Sequence, residues 1–225
     1  MKIVALIPAR EGSKSIKNKN IIKVNKKTLI EYSIKTAKKS KFINEVYIST
    51  DSKKIQKIAI KLGAKAPFLR PKKISGDKST DLEAFVHFNN WYKKILKKKI
   101  DIVVHLRTTT PFRKIKLIDK AIYIFLKNKK YSCLRSFVAS KKTPFKMYFK
   151  KKNIAVPVIS SKKELHSMGR QYLPKTFQHS GYIDILRIRD TIEKKSMVGK
   201  KIFFYFIKDK KASIDIDSKK DLLSI

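Results

Sequence analysis

A single cysteine, Cys133, stands in 225 residues. One thiol excludes an internal disulfide and a cysteine-built zinc site, and its mixed neighbours suggest a half-buried structural residue. No apolar run reaches the 18 residues of a membrane-crossing helix, so no membrane association is expected. The first apolar run, Ile3-Val4-Ala5-Leu6-Ile7, is too short and too soon followed by Arg10 and Glu11 for a secretion signal. A cytoplasmic protein is therefore expected. Neither GxxxxGK[ST] nor GxGxxG occurs, which excludes a P-loop and a dinucleotide fingerprint. The four histidines (His87, His105, His166, His179) show no ligand spacing and are assigned no catalytic role. Acidic residues are few, 17 against 56 Lys and Arg, for a net charge of +39. Such an excess favours polyanions. Yet lysine recurs in every segment, while arginine, the better reader of bases and phosphates, is scarce. This dispersal fits a solvated surface better than a dedicated nucleic-acid face, and it lends weight to the few arginines.

What is present suffices for a core: 42% of the residues are hydrophobic, and the length suits one domain over residues 1–225. Residues 2–8 read as a buried strand. Thr28 and Glu31 form a capping-box pattern for a helix to Lys39. Glu45 to Thr50 reads as a strand. Asp51 is the expected cap of a helix through Leu62, which Gly63 stops. Lys65 to Leu69 reads as a short strand. Thr80 and Glu83 form a second capping box, for a helix to about Leu96. Asp101 to Leu106 is a strand, and Lys114 to Lys127 a helix. The alternation predicts an α/β fold with a mostly parallel sheet flanked by helices. Three further strands follow, Tyr131–Ser140, Phe145–Phe149 and Ile154–Val158. The last two read as a hairpin within a β-rich flap over 140–175, of the kind that packs on a second subunit. A strand over Tyr182–Leu186, a helix near 187–195, a strand in KIFFYFI and a short C-terminal helix complete the chain.

Ligands bind such sheets beyond the carboxyl ends of the strands. Three polar loops lie there, 8–20, 70–78 and 107–113. In PAREGSKSIKNKN, Gly12 and Ser13 are small enough for backbone N–H groups to approach an anion. Arg10 offers a planar fork to phosphate, and Lys14 or Lys19 a point charge. The same loop could be one more basic patch. Asp215 and Asp217 stand two apart, so an extended segment turns both to one side, a natural spacing for Mg²⁺. Alternatively, Asp217 caps the helix that follows.

At this level of detail the chain resembles the CMP-sialic acid synthetases (acylneuraminate cytidylyltransferases). IPAREGSKSIKNKN resembles their I-P-A-R-x-G-S-K-x-I-x-x-K-N signature. FLRP, LRTTTPFR, RQYLPKTFQHSGYID and IDID resemble later segments in the same order, so the likeness spans nearly the whole chain. It implies a Rossmann-like nucleotidyltransferase, homodimeric through its flap, that uses Mg²⁺. The reaction it implies is CMP transfer from CTP to the anomeric hydroxyl of a nine-carbon 2-keto sugar acid. The resemblance places triphosphate binding on Arg10, Ser13, Lys19 and Asn20, with Arg10 and Lys19 neutralising the leaving phosphates. It places cytidine on Arg70, the metal on Asp215 and Asp217, and sugar contacts on Arg107, Thr109, Arg170, Gln171 and Asp184. Four departures stand out: Ser15 for a usual Gly, Arg107-Thr108 for Gln-Pro, Ser180 for Asn and Asp184 for Tyr. Most of them concern the sugar side, so legionaminic or pseudaminic acid is as good an expectation as sialic acid. The competing class is a basic nucleic-acid-binding protein, which would cluster arginines and stacking aromatics on one face. A degenerate relative that binds nucleotide without turnover is a further alternative, opposed by the retained Arg10, Lys19, Asp215 and Asp217.

Overall fold

A computed structural model of the chain describes residues 1–13, 15–160 and 164–223; Lys14 lies outside the described residues. Ten strands occur among them: β1 (Ile3–Pro8), β2 (Lys23–Val24), β3 (Lys27–Thr28), β4 (Glu45–Ser49), β5 (Ile102–His105), β6 (Cys133–Ala139), β7 (Tyr148–Lys151), β8 (Ile154–Pro157), β9 (Phe177–Arg187) and β10 (Ile202–Phe206). The helices are α1 (Leu29–Lys39), α2 (Lys53–Lys61), α3 (Asp81–Leu96), α4 (Ile115–Lys127) and α5 (Lys219–Leu223). Six strands form the central sheet in the order β10-β6-β9-β5-β1-β4. The pairs β1–β4, β1–β5 and β10–β6 are parallel, and β9 runs antiparallel to both its neighbours.

Alternation along β1 builds a core on each face of the sheet. Ile3, Ala5 and Ile7 pack with the buried faces of α1, α2 and α4, including Ile34, Ala59 and Ile122. Val4 and Leu6 pack on the other face against Phe85, Phe88 and Tyr92 of α3. Cys133 is fully buried, and burial pushes its thiol up to about 12, so it is inert packing. No helix among the described residues is long and apolar enough to cross a membrane.

Several element boundaries differ from the expectations. Ser52, not Asp51, stands at the cap of α2; the Asp51 carboxylate instead accepts from Glu11 N at 2.9 Å, tying the first loop to the end of β4. Lys65–Leu69 makes a single bridge, Lys65 to Tyr47, because the chain turns away after it. The first part of Phe145–Phe149 is a 3-10 turn, Pro144–Lys146, with Pro144 in its first turn. The region 187–195 forms two 3-10 turns, Ile188–Asp190 and Ile192–Lys194, rather than a helix. β9 is longer than Tyr182–Leu186 because it spans both β5 and β6. The Thr80–Glu83 box is complete, with both reciprocal bonds, whereas at Thr28 only the Glu31 N–H bond forms and Glu31 turns to Lys35.

Candidate active site

From β1 the chain crosses to β4 on one side and later returns to β5 on the other. The crevice at that switch point opens beyond Pro8 and His105, the last residues of β1 and β5. A cleft of about 280 Å³ lies there. All three polar loops singled out in the sequence contribute to it or to its rim, and the C-terminal aspartates close it. Arg10, Ser13, Lys19, Asn20, Arg70, Arg107, Thr109, Asp215 and Asp217 line it.

The first loop is fixed by its own polar side chains. Asn20, buried in a 3-10 turn, donates Nδ2 to Arg10 O at 2.7 Å, and its Oδ1 accepts from Thr108 Oγ1 at 2.6 Å. Arg10 Nη1 donates to Gly76 O at 2.7 Å and pairs with Asp77 at 3.2 Å, linking loop 8–20 to loop 70–78. Lys19 Nζ donates to Asp217 Oδ1 at 2.7 Å, and Ser15 Oγ donates to the Asp217 carbonyl. The serine that departs from the usual glycine is thus a strut between the loop and the acidic pair. Gly12 is exposed and does not line the cleft; a Cβ there would meet nothing within 4 Å.

Asp215 and Asp217 both face the cleft, with Ile216 buried between them and its N–H bonded to Thr109 O at 2.8 Å. The helix-cap alternative for Asp217 fails. Ser218 and Asp221 cap α5 reciprocally, and the Asp217 carboxylate points to Lys19. Partial burial in the cleft raises Asp215 above the usual carboxylate range, and the neighbouring Asp217 adds to this against the Thr109 hydroxyl, although Asp215 keeps an open face to solvent. Among the described residues no cluster of three or more His, Cys, Asp or Glu could cage a metal. Two hard carboxylates beside a phosphate-sized cationic cleft nevertheless fit Mg²⁺, which takes one or two carboxylates and completes its shell with water and substrate phosphate.

Arg70 is 6% exposed, and its Nε and Nη2 are buried without a hydrogen-bond partner among the described residues. Burial pulls its pKa down, while Asp51 and Asp81 oppose the shift. Buried donors that the protein itself leaves unpaired are available to the oxygens of a ligand in the cleft.

The sugar-side residues divide. Arg107 and Thr109 line the cleft. Asp184 does not reach its surface: it is 3% exposed, opposite His105 on β5 and Arg135 on β6. Burial acts to raise its pKa, but the His179 hydrogen bond and the nearby Arg135 guanidinium outweigh it and hold the carboxyl low. Arg170 and Gln171 are exposed in a 3-10 turn beside the flap and do not line the cleft. Sequence reasoning missed Ser79, Thr80 and Asp81 at the N-terminus of α3, which line the cleft; the Thr80 capping box was the available signal. It also missed Arg113, which donates to Arg107 O and Tyr182 O, both at 2.6 Å, and so pins the 107–113 loop.

Comparison with known proteins shows the family and the fold. Residues 4–217 match the profile of the family described as Cytidylyltransferase. The chain is 30% identical over 220 residues to post-translational flagellin modification protein B of Campylobacter coli, covering 98% of this chain and 92% of the relative. It is 33% identical over 224 residues to a CMP-N,N'-diacetyllegionaminic acid synthase of Campylobacter jejuni, covering 98% and 92%. A solved CMP:2-keto-3-deoxy-manno-octonic acid synthetase complexed with CTP shares the fold, with a TM-score of 0.71 at 15% identity over 100% of this chain and 96% of the other. The family match over residues 4–217 and these near-full-length relatives show that the chain belongs to the cytidylyltransferase family, in its CMP-nonulosonic acid synthetase branch.

Proposed function

We propose that the protein transfers CMP from CTP to the anomeric 2-hydroxyl of a nonulosonic acid. The hydroxyl oxygen forms a bond to the α-phosphorus, the bond to the β-phosphate breaks, pyrophosphate leaves and the hydroxyl proton is released. The observation that carries this reading is the joining of Arg10, Lys19 and the unpartnered Arg70 with Asp215 and Asp217 in one cleft at the switch point. Such transfer needs in-line positioning and charge neutralisation more than a protein nucleophile. Arg10 and Lys19 neutralise the departing phosphates, with Ser13 and Asn20 shaping the loop. Arg70 takes the nucleoside end, where its free N–H groups meet ring or sugar oxygens. Asp215 and Asp217 would hold Mg²⁺, which would supply charge neutralisation for the phosphates and a lowered pKa for a hydroxyl brought to it.

The relative named as a legionaminic acid synthase supports an acceptor of that class. The flap β7–β8 exposes Tyr148, Phe149 and Ile154. A lone two-stranded hairpin is marginal in water, and Arg170 lines a separate depression with Ser140, Thr143 and Lys175, outside the cleft. A second copy of the chain is the proposed cover, within one domain over 1–225. CTP supply places the reaction in the cytoplasm. The test is pyrophosphate release from CTP and Mg²⁺ with sialic, legionaminic and pseudaminic acids offered in parallel. Acid-dependent release supports the reading, whereas no release with any acid, alongside tight salt-sensitive DNA binding, refutes it.

A further inference from the structure

Arg107 and Asp81 meet in the cleft, and both line it. Arg107 lies just beyond the end of β5, and Asp81 is the first residue of α3. Arg107 Nη2 stands 3.2 Å from Asp81 Oδ2, and each side chain is 35% exposed. The same Nη2 lies 3.9 Å from Oδ2 of the buried Asp184. Gly181 makes room for the arginine stem: its φ is +64°, and a Cβ there would stand 3.0 Å from Arg107 Cδ. Arg113 holds the Arg107 carbonyl at 2.6 Å. On the other side, the start of a helix suits an acid, and Asp81 takes no part in the Thr80–Glu83 capping box. The pair is thus seated from both elements.

Taken together, the two charges cancel. The acid repels a phosphate or carboxylate placed beside it, so the pair is poorly suited to either anion of the reaction. Its capacity for hydrogen bonds remains. A guanidinium has more N–H groups, and a carboxylate more lone pairs, than one contact uses. The contact between them engages Nη2 and Oδ2. Among the described residues, Asp81 Oδ1 accepts no hydrogen bond, and Arg107 Nε is buried without a partner. An acceptor and donors therefore stand side by side at the cleft wall.

Their chemical complement is a neutral group with a donor and an acceptor in one plane. A secondary amide has both: its N–H matches the carboxylate and its carbonyl the guanidinium. We infer that Asp81 and Arg107 are specificity-determining residues that read an acylamino substituent of the acceptor. The inference rests on the proposed acid acceptor and names the group by which it is told from an unacylated one. A cytosine edge also joins donor and acceptor, but Arg70 already brings two unpaired buried donors to the nucleoside. Arg107 lies against Gly181 of β9, on the flank of β5 opposite β1 and its phosphate loop.

The test takes the nonulosonic acid giving the fastest wild-type turnover, and analogues in which each acylamino group in turn is replaced by hydrogen. At one position the wild type should lose about 10- to 100-fold in kcat/KM, the range of hydrogen bonds to charged groups. Asp81→Ala should shrink that loss to about threefold or less and raise acceptor KM, with CTP KM held within about twofold. Arg107→Met keeps the stem and should act alike; it decides the matter if Asp81→Ala does not fold. Discrimination that survives unaltered in the folded variant overturns the inference. So does a best acceptor without an acylamino group. Relaxed selection of CTP over UTP in place of the acceptor effect would assign the pair to the base and also overturn it. Each of these outcomes leaves CMP transfer standing. Wild-type enzyme inactive with every nonulosonic acid would overturn the proposed function, and this inference with it.

Discussion

At the scale of single residues, the cleft trades stability for binding. Arg70 buries a guanidinium with two unpaired donor atoms, and a buried unpaired polar group costs about 1–3 kcal/mol. Arg70→Met keeps the stem and removes the charge. It should leave the melting temperature of the free protein unchanged or higher, while weakening CTP binding at least about tenfold. A lower melting temperature with intact CTP affinity would make Arg70 structural. Asp217 makes the opposite case. Its carboxylate pairs with Lys19 and caps nothing, so Asp217→Asn should lower kcat by about 100-fold or more with a melting temperature within about 2 °C. Near-wild-type activity would remove its metal role. The first-loop signature made Arg10, Lys19 and Asn20 legible in the sequence. It could not show that Asn20 works by fastening Arg10 O to Thr108, nor that Ser15 reaches Asp217. Those bonds join segments far apart in the chain, and only tertiary structure creates them.

At the scale of elements, local chemistry was readable and register was not. The Thr80–Glu83 box and the stop at Gly63, with its φ of +81°, follow from nearest neighbours in sequence. The strand expected over Lys65–Leu69 reduces to one bridge, since strand pairing depends on where the chain goes next. Asp184 was expected to touch the sugar, but its register opposite His105 and Arg135 buries it. The same strand logic builds a tie at Glu45 on β4. Burial would raise this carboxyl, but hydrogen bonds from Lys65, Lys2 and Tyr47 overcome it and bring it to about 2, from an ordinary 4.5. A depressed folded pKa means that this stabilisation is complete above about pH 4.5 and is lost as pH falls through about 2. Glu45→Gln should therefore be less stable than wild type at neutral pH, and the gap between their melting temperatures should close between pH 4.5 and 2. A constant gap would show that the ion pairs contribute nothing.

At the scale of the whole molecule, the +39 charge was the loudest feature of the composition and the least informative about function. Among the described residues, the charged residues that line the cleft are three arginines, one lysine and three aspartates, while the other lysines lie elsewhere. The flap carries a separate expectation. If a second copy covers it, sedimentation should give a dimer, and Phe149→Asp on its exposed face should shift the population to monomer. A wild-type monomer at micromolar concentration would leave the flap without that role. The central claim concerns bond chemistry and is read most directly by ³¹P NMR of CTP, Mg²⁺ and a nonulosonic acid incubated with the enzyme. The account expects one CMP–sugar phosphodiester for each pyrophosphate released, and no signal change without the acid. CTP left intact with every acid, or CMP and pyrophosphate formed without a sugar ester, would contradict it.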